Sequence, residues 1–436
     1  MMTSAAPRLS TGLNFKLSLM MFLQYGIWGA WLPFLWDFLA THRGMDGAEI
    51  GNMFAAGAVG AVIGPFIAGQ FADRYFSTER FLGVSHLIGA VLIWRLASIE
   101  SGTGFLVFSL VYGLVYSPTL SLTNSLAFHH LPDRDRDFGR VRFWGTLGWI
   151  VVGLAMGHWL WRMHEPVGAS ELDTLAQLAA GKADAFRLSA ILGLCMGIYC
   201  FFLPHTPPAR MSEKNATVEA MGEIVRRPLC VLFLLAVPVS CIHQFYFVHT
   251  EIFLTAKNLA APAWTKTVFG AGGGGLMTVG QMTELVVLGA IPLVAKSVSR
   301  KTLLAVGLVA YAGRMAIFAF VDVIPLPPLV TLLSGVALHG LCFGCFIFVA
   351  FMIVDEETSS DVRASAQSLF NLVIIGIGVI VGSKIAGWVS DWARVDDVTD
   401  YTRLFSVPMW ASVACLFLLL VFYPSKSRSR GLHIPG

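Results

Sequence analysis

Charge is what this sequence has least of. Asp, Glu, Lys and Arg make up 13% of its 436 residues, about half the share of an ordinary soluble domain. No window longer than the short loops mixes polar and apolar residues as a water-soluble core requires, which excludes a hidden soluble catalytic domain. The formal charge is only +3 and is spread thinly over loops, so no basic surface for nucleic acid is present. Cysteine is also sparse. The seven cysteines fall in or beside apolar segments, where a thiol behaves as a small hydrophobe. Cys342 and Cys345 have CxxC spacing, but no second pair or histidine cluster accompanies them. No disulfide, metal site or cofactor is expected. A paired acid and base at the membrane surface is lacking too, which argues against an enzyme acting on lipid-linked substrates.

What is present is apolar length. Hydrophobic residues reach 56% with a mean hydropathy of +0.70, in long blocks separated by short polar ones. This is the pattern of an integral membrane protein. The first apolar block, about 17–40, has no small-residue cleavage site at its end and is too long for a signal-peptide core, so it is expected to stay as the first transmembrane helix. A spanning helix needs about 20 apolar residues. That window gives about twelve spans, near 15–40, 48–72, 80–98, 103–128, 138–160, 186–204, 229–255, 269–295, 302–321, 328–353, 365–390 and 403–423.

An even count puts both termini on one side. Lys and Arg outside the spans fall about two to one on that side, which the positive-inside rule reads as cytoplasmic. The longest polar segment there, 205–228, separates six spans from six and is expected to carry a short surface helix over Val218 to Arg226. The expected organisation is all-α: an N-terminal six-helix half (1–204), a cytoplasmic linker (205–228), a C-terminal six-helix half (229–423) and a tail (424–436). Such a layout implies two parallel repeats. The loop ADRYFSTERFL after span two is echoed by AKSVSRKTLL after span eight.

Phe138 to Trp149 carries Arg140 and Arg142 straight into an apolar run holding Thr146 and Trp149. At helical spacing these groups can wall a polar cavity. Equally, both arginines can serve as anchors whose heads snorkel to lipid phosphates. Glu284 lies twelve residues from Lys296, roughly 18 Å into the membrane, a depth at which an ionisable group must face the bundle interior. Arg314 should reach similar depth. Two readings stand side by side: a Glu284 to Arg314 ion pair joining two helices, or Glu284 lining a cavity with Gln281 and exchanging a proton there. His243, His249 and His339 could titrate near neutral pH, with His339 the one read for proton coupling. Asp37, Asp322, Asp355, Glu356 and Glu357 lie near span ends and read as solvated or structural. The run from Gly270 to Gly275 reads as a frayed or mobile entrance to span eight.

The loop GQFADRY (Gly69 to Tyr75) resembles the signature of the major facilitator superfamily, in which Gly69, Asp73 and Arg74 would form a conformational gate. Within it the chain is similar to the nucleoside:proton symporters, through FLQYGIWGAWL (Phe22 to Leu32), PTLSLTNS (Pro118 to Ser125), RFWGTLGW (Arg142 to Trp149), GQMTE (Gly280 to Glu284) and RASAQ (Arg363 to Gln367). The resemblance covers nearly the whole chain. It implies proton-coupled inward transport of nucleosides by a monomer in the bacterial inner membrane. It also implies a central site of Arg142, Thr146, Trp149, Gln244, Gln281, Glu284 and Phe343, with Glu284 and His339 as proton-coupling candidates. A base would stack on Trp149 or Phe343, and ribose would find partners in Gln244, Gln281, Thr146 and Arg142. The sequence departs from the family at Trp149 (phenylalanine in relatives), Phe247 (asparagine), His339 (tyrosine) and Gly344 (an acid). The rival readings are a carrier of sugars or another hydrophilic solute, and an uncoupled uniporter.

Overall fold

A computed structural model of the chain describes residues 9–67, 77–207, 216–258, 262–359, 362–396 and 398–424. Gly69, Asp73 and Arg74 lie outside the described residues. Twelve long helices follow one another: α1 (Thr11–Trp31), α2 (Gly47–Ile67), α3 (Thr78–Leu96), α4 (Gly102–His130), α5 (Arg134–Met163) and α6 (Ala183–Cys200), then α7 (Leu229–Asn258), α8 (Gly273–Val294), α9 (Arg300–Ala319), α10 (Pro328–Glu357), α11 (Ser365–Trp392) and α12 (Tyr401–Phe422). Nine helices among the described residues are long and apolar enough to cross a membrane. Most of the twelve lie within a few residues of the limits expected from hydropathy, but α1 stops nine residues before its expected end at 40, the chain continuing over 32–42 as short 3-10, α and wide turns, and the expected end of the second span at 72 lies outside the described residues. The fold is all-α apart from a small antiparallel ribbon, β1 (Arg394–Val395) with β2 (Val398–Thr399).

Hydropathy alone predicts a loop over 160–186. The segment instead contains a helix, Glu171–Gly181, that runs almost directly into α6. The Ser170 side chain caps it by accepting from the Asp173 amide, and Glu171 and Asp173 occupy its first turn, where carboxylates favour a helix N-terminus. In the polar segment 205–228, a short helix forms over Ala216–Ile224.

In the first half α1 packs on α5 and α6, and α4 on α2 and α3. In the second, α7 packs on α8, α11 and α12, and α9 on α10 and α12. The halves meet through two helix pairs, α2 with α11 and α5 with α8. Glycine makes these approaches close. A Cβ on Gly60 would sit 1.9 Å from the Gly113 carbonyl oxygen, inside the first half. One on Gly157 would sit 2.4 Å from the Phe269 carbonyl oxygen, across the halves. Small residues serve this purpose where lipid offers no hydrophobic drive for helices to associate.

The glycine run before α8 is therefore not a frayed entrance. Gly270 and Gly272 hold positive φ (+76° and +79°), and Gly273 starts a regular helix. Cβ atoms on Gly273 and Gly275 would collide with the carbonyl oxygens of Glu251 and Phe269, at 2.2 and 1.9 Å. The Ala271 amide donates to the Gly157 carbonyl at 2.9 Å. Composition suggested softness; the backbone uses the missing side chains for close contact.

The bundle end opposite the termini, called the far end below, is stitched between the halves. Asp391 of α11 accepts from the Gly47 and Ala48 amides at the start of α2, at 2.6 and 2.9 Å. Lys266 pairs with Glu165, and His158 Nε2 lies 3.1 Å from the Thr267 carbonyl oxygen. Inside the first half, Gln24 of α1 is a hub. Its amide donates to Thr119 Oγ1 (2.9 Å), and its Oε1 meets His86 Nε2 (2.9 Å) and the Thr123 hydroxyl (3.1 Å).

Gly60→Val and Gly157→Val should therefore fail differently. The first overpacks the interior of one half, costing about 1–3 kcal/mol, and lowers the thermal midpoint in detergent. The second loosens the contact between halves, so its midpoint moves less while hydrogen exchange around 269–275 accelerates. Equal midpoint losses with unchanged exchange would contradict this division.

Candidate functional site

α5 offers Arg142, Thr146 and Trp149 at spacings of four and three, hence on one face. Glycines on α1 and α5 fix their side chains. A Cβ on Gly29 would lie 2.8 Å from the Trp149 ring, so the indole rests directly against α1. Trp28 meets it edge-on at 5.7 Å. Gly145 makes the same room for Tyr25, over whose ring the Arg142 guanidinium lies, 3.8 Å from the centroid. Of the two arginines, Arg140 remains exposed while Arg142 is half-buried against an aromatic face, a cation–π contact rather than a lipid anchor.

The second half supplies the rest. Gly340 and Gly344 of α10 face α8 so closely that Cβ atoms there would lie 2.5 Å from the Thr283 backbone and 2.5 Å from Val287 Cγ1. Thr283 further donates to the Ala337 carbonyl at 2.8 Å. This contact brings His339 Nε2 to 3.4 Å from Glu284 Oε2. The other ring nitrogen, Nδ1, lies 3.1 Å from Arg314 Nη1. A guanidinium only donates. Nδ1 must then accept, which leaves the proton of a neutral imidazole on Nε2, on the side of the ring nearer the carboxylate. The Glu284 to Arg314 pair is thus not direct, because His339 stands between them. Arg314 is fully buried. It lies over the rings of Tyr246 and Tyr311 at 4.3 and 5.1 Å, and its Nε and Nη2 have no hydrogen-bond partner.

Glu284 has 12% of its side chain exposed and lies within electrostatic reach of Arg142 in the opposite half. An aromatic line joins the two sides. Trp149 meets Phe247 at 6.0 Å, Phe247 meets His243 at 5.2 Å, and His243 lies near-parallel to His339 at 5.4 Å and tilted to Phe343 at 6.3 Å. Phe343 sits in a stretch of wide turns in α10, Cys342–Phe348, a distortion often found at functional sites. Gln281 is buried with Oε1 unpartnered. Thr146 is nearly buried. Gln244 is committed elsewhere: its Nε2 donates to Ser383 Oγ on α11 at 3.0 Å. Two surface clefts, about 560 and 400 Å³, touch none of these residues.

Several participants were not singled out from sequence. His243, read only as one of three histidines, pairs with Tyr311 at 2.7 Å. At the far end Asp37, expected to be solvated or structural, is 3% exposed and pairs with fully buried Lys182, which also holds fully buried Glu251. Glu251 lies seven residues after Gln244 within a span, so the depth argument used for Glu284 could have found it. Lys182 could not be found that way, because it precedes the apolar run of α6.

Two helical halves meet around an arginine, a carboxylate and an aromatic wall, an arrangement suited to a membrane carrier. Solved structures agree on the fold. The crystal structure of nucleoside transporter NupG aligns with a TM-score of 0.79 at 24% identity, covering 94% of this chain and 98% of that one. The profile of the nucleoside H+ symporter family matches residues 11–428; the chain belongs to that family and is not an enzyme. Relatives in Escherichia coli K12 include the putative nucleoside transporter YegT (32% identity, 93% of this chain and 92% of the relative). Xanthosine permease (29%, 94% and 94%) and nucleoside permease NupG (26%, 95% and 96%) are also similar.

An unpartnered buried amide oxygen costs about 1–3 kcal/mol. Gln281→Met should therefore raise the thermal midpoint of the empty protein, while abolishing any stabilisation by added nucleoside. A lowered midpoint, or undiminished stabilisation, would show that Gln281 is structural.

Proposed function

We propose that this protein imports nucleosides together with protons by alternating access. Cargo is held between Arg142, Thr146 and Trp149 on one half and Gln281, Glu284 and Phe343 on the other, with Glu284 carrying the proton. The observation that carries this reading is the aromatic line from Trp149 through Phe247 and His243 to Phe343 across the contact between halves, with Arg142 on the first half at one end and Glu284 beside His339 on the second at the other. A purine or pyrimidine is flat and stacks on such rings, whereas its sugar needs hydrogen-bonding groups. Both ligand and proton would be exposed to one side at a time as the halves rock. Each charge crossing about 100 mV supplies roughly 2.3 kcal/mol, enough for near fifty-fold accumulation.

Gln244 joins this set only if its bond to Ser383 breaks on loading. His339 would position Glu284 through its Nε2 proton and relay the fixed charge of Arg314. The protein would work as a monomer in the bacterial inner membrane. The excess of Lys and Arg on the terminal side supports both termini being cytoplasmic, and Gly69, Asp73 and Arg74 would form a gate there. Gly344 favours a second reading. Where the family resemblance leads one to expect an acid, this chain has a glycine packed on α8, which fits an uncoupled uniporter.

Gradient-driven uptake of labelled nucleosides into membrane vesicles separates the two. Symport predicts that Glu284→Gln loses accumulation above equilibrium while exchange continues. A uniporter shows no accumulation even with Glu284 intact, and undiminished accumulation in the variant would remove Glu284 from coupling. Stacking of a base on an aromatic ring is worth about 1–3 kcal/mol. Trp149→Ala should then weaken binding roughly 5- to 150-fold for adenosine and uridine alike, whereas Phe247→Asn should change the ratio between nucleosides. An unaltered ratio would mean Phe247 plays no part in selection.

A further inference from the structure

We propose that Asp37, Lys182 and Glu251 form a proton-binding latch that holds the far end of the two halves closed, separate from the site around Glu284. Asp37, just beyond α1, and Lys182, just before α6, belong to the first half; Glu251 lies on α7 in the second. The Lys182 ammonium donates to Asp37 Oδ2 and, at 2.9 Å, to Glu251 Oε2. The remaining oxygens are occupied as well. Asp37 Oδ1 accepts from the Thr41 hydroxyl, and Glu251 Oε1 accepts from Thr255 Oγ1 at 2.8 Å and from the Gly273 amide at 3.2 Å. Lys182 and Glu251 are 0% exposed and Asp37 is 3% exposed.

The chemistry follows from counting charges. One ammonium faces two carboxylates in a place closed to water, leaving a net charge of −1. The Tyr401 phenol at the start of α12 is within electrostatic reach of both acids. From α8 the groups facing the triad are backbone amides. His249, two residues before Glu251, is turned away, packed on Trp36 at 4.4 Å with Nε2 3.1 Å from the Ala386 carbonyl. Among the described residues no second cation meets the triad. A buried unpaired charge is costly, and one proton removes it. That proton comes from hydronium on the far side, which loses one O–H bond and leaves as water, while a carboxylate oxygen gains one and the triad comes to zero. Glu251 takes it, being the fully enclosed one of the two carboxylates.

Opening the far end parts Glu251 from Lys182 and Asp37. Water then reaches the groups, both carboxylates are solvated, and the proton returns to the far side. Closure takes up a proton and opening releases it, so acid on the far side favours the closed arrangement. By linkage the closed-to-open ratio changes by up to tenfold per pH unit for one proton. This proton is not carried across; it sets how readily the empty protein opens. The proposal does not depend on the cargo or on the role of Glu284.

The test uses the full chain in liposomes without nucleoside, in a Glu284→Gln background so that the central carboxyl cannot contribute. Ala271→Cys is the reporter: Ala271 is buried in the far-end contact and should react with an impermeant maleimide only when that contact opens. Its rate is divided by that of Val167→Cys, a fully exposed loop position, which removes the intrinsic pH dependence of thiol labelling. The normalised rate should rise by up to tenfold per unit as external pH increases, and Glu251→Gln should make it slow and flat. Asp37→Asn, which also leaves one cation with one anion, should do the same and stands in if Glu251→Gln does not reach the membrane. A flat rate in the reference chain, or a slope kept within twofold by both variants, overturns the proposal. Because no cargo is present, either result leaves the nucleoside reading to its own experiment.

Discussion

Backbone-to-backbone contact through glycine is the constraint on which the rest of this structure depends. Lipid gives helices no hydrophobic reason to associate, so position is set by how closely main chains approach. Gly29 and Gly145 seat Trp149 and Tyr25, and Tyr25 in turn carries Arg142. Gly340 and Gly344 press α10 onto α8 and thereby set His339 beside Glu284. Gly157 and the run from Gly270 join the halves. With any of these contacts moved outward by a methyl group, the side chains around Arg142 and Glu284 would no longer share one space.

The polar groups are organised by the direction in which each can donate. Arg314 cannot accept, so it dictates which nitrogen of His339 bears hydrogen, and that nitrogen faces Glu284. A neutral ring thus stands between a fixed positive charge and a carboxylate that also senses Arg142. Glu284 feels a guanidinium from each half, Arg142 across the contact and Arg314 on the far side of the His339 ring. Any change in the spacing of the halves alters only the first of these influences. This asymmetry gives a carboxyl a reason to behave differently in two arrangements of the bundle.

Much of the architecture was legible in the sequence because apolar length is a strong signal, and most of the long helices fall close to their expected limits, α1 being the exception with its early break at Leu32. The depth of Glu284 was readable by counting residues from Lys296, since a helix converts residue number into distance. Other features were hidden for physical reasons. Glycine composition cannot distinguish a loose segment from a tight one, so the run at Gly270 was misread until its positive φ values and carbonyl contacts were seen. Lys182 lay in what looked like a polar loop, and Asp37 near a span end looked solvated. Burial of both depends on a partner, Glu251, that sequence places about seventy residues from one and more than two hundred from the other. That His339 stands between Arg314 and Glu284 needed three helices in register.

The hub at Gln24 bears on how such a molecule can move. One amide joins α1 to α3 and α4, and the Tyr116 hydroxyl closes on the carbonyl of the same residue at 2.7 Å. Both of its ends are engaged, so shear between these helices would break several bonds at once in a medium with little to replace them. Sliding among α1, α3 and α4 is thereby resisted, so these three helices would move as one stiff leaf whose swing has to be absorbed at the seams with the other half.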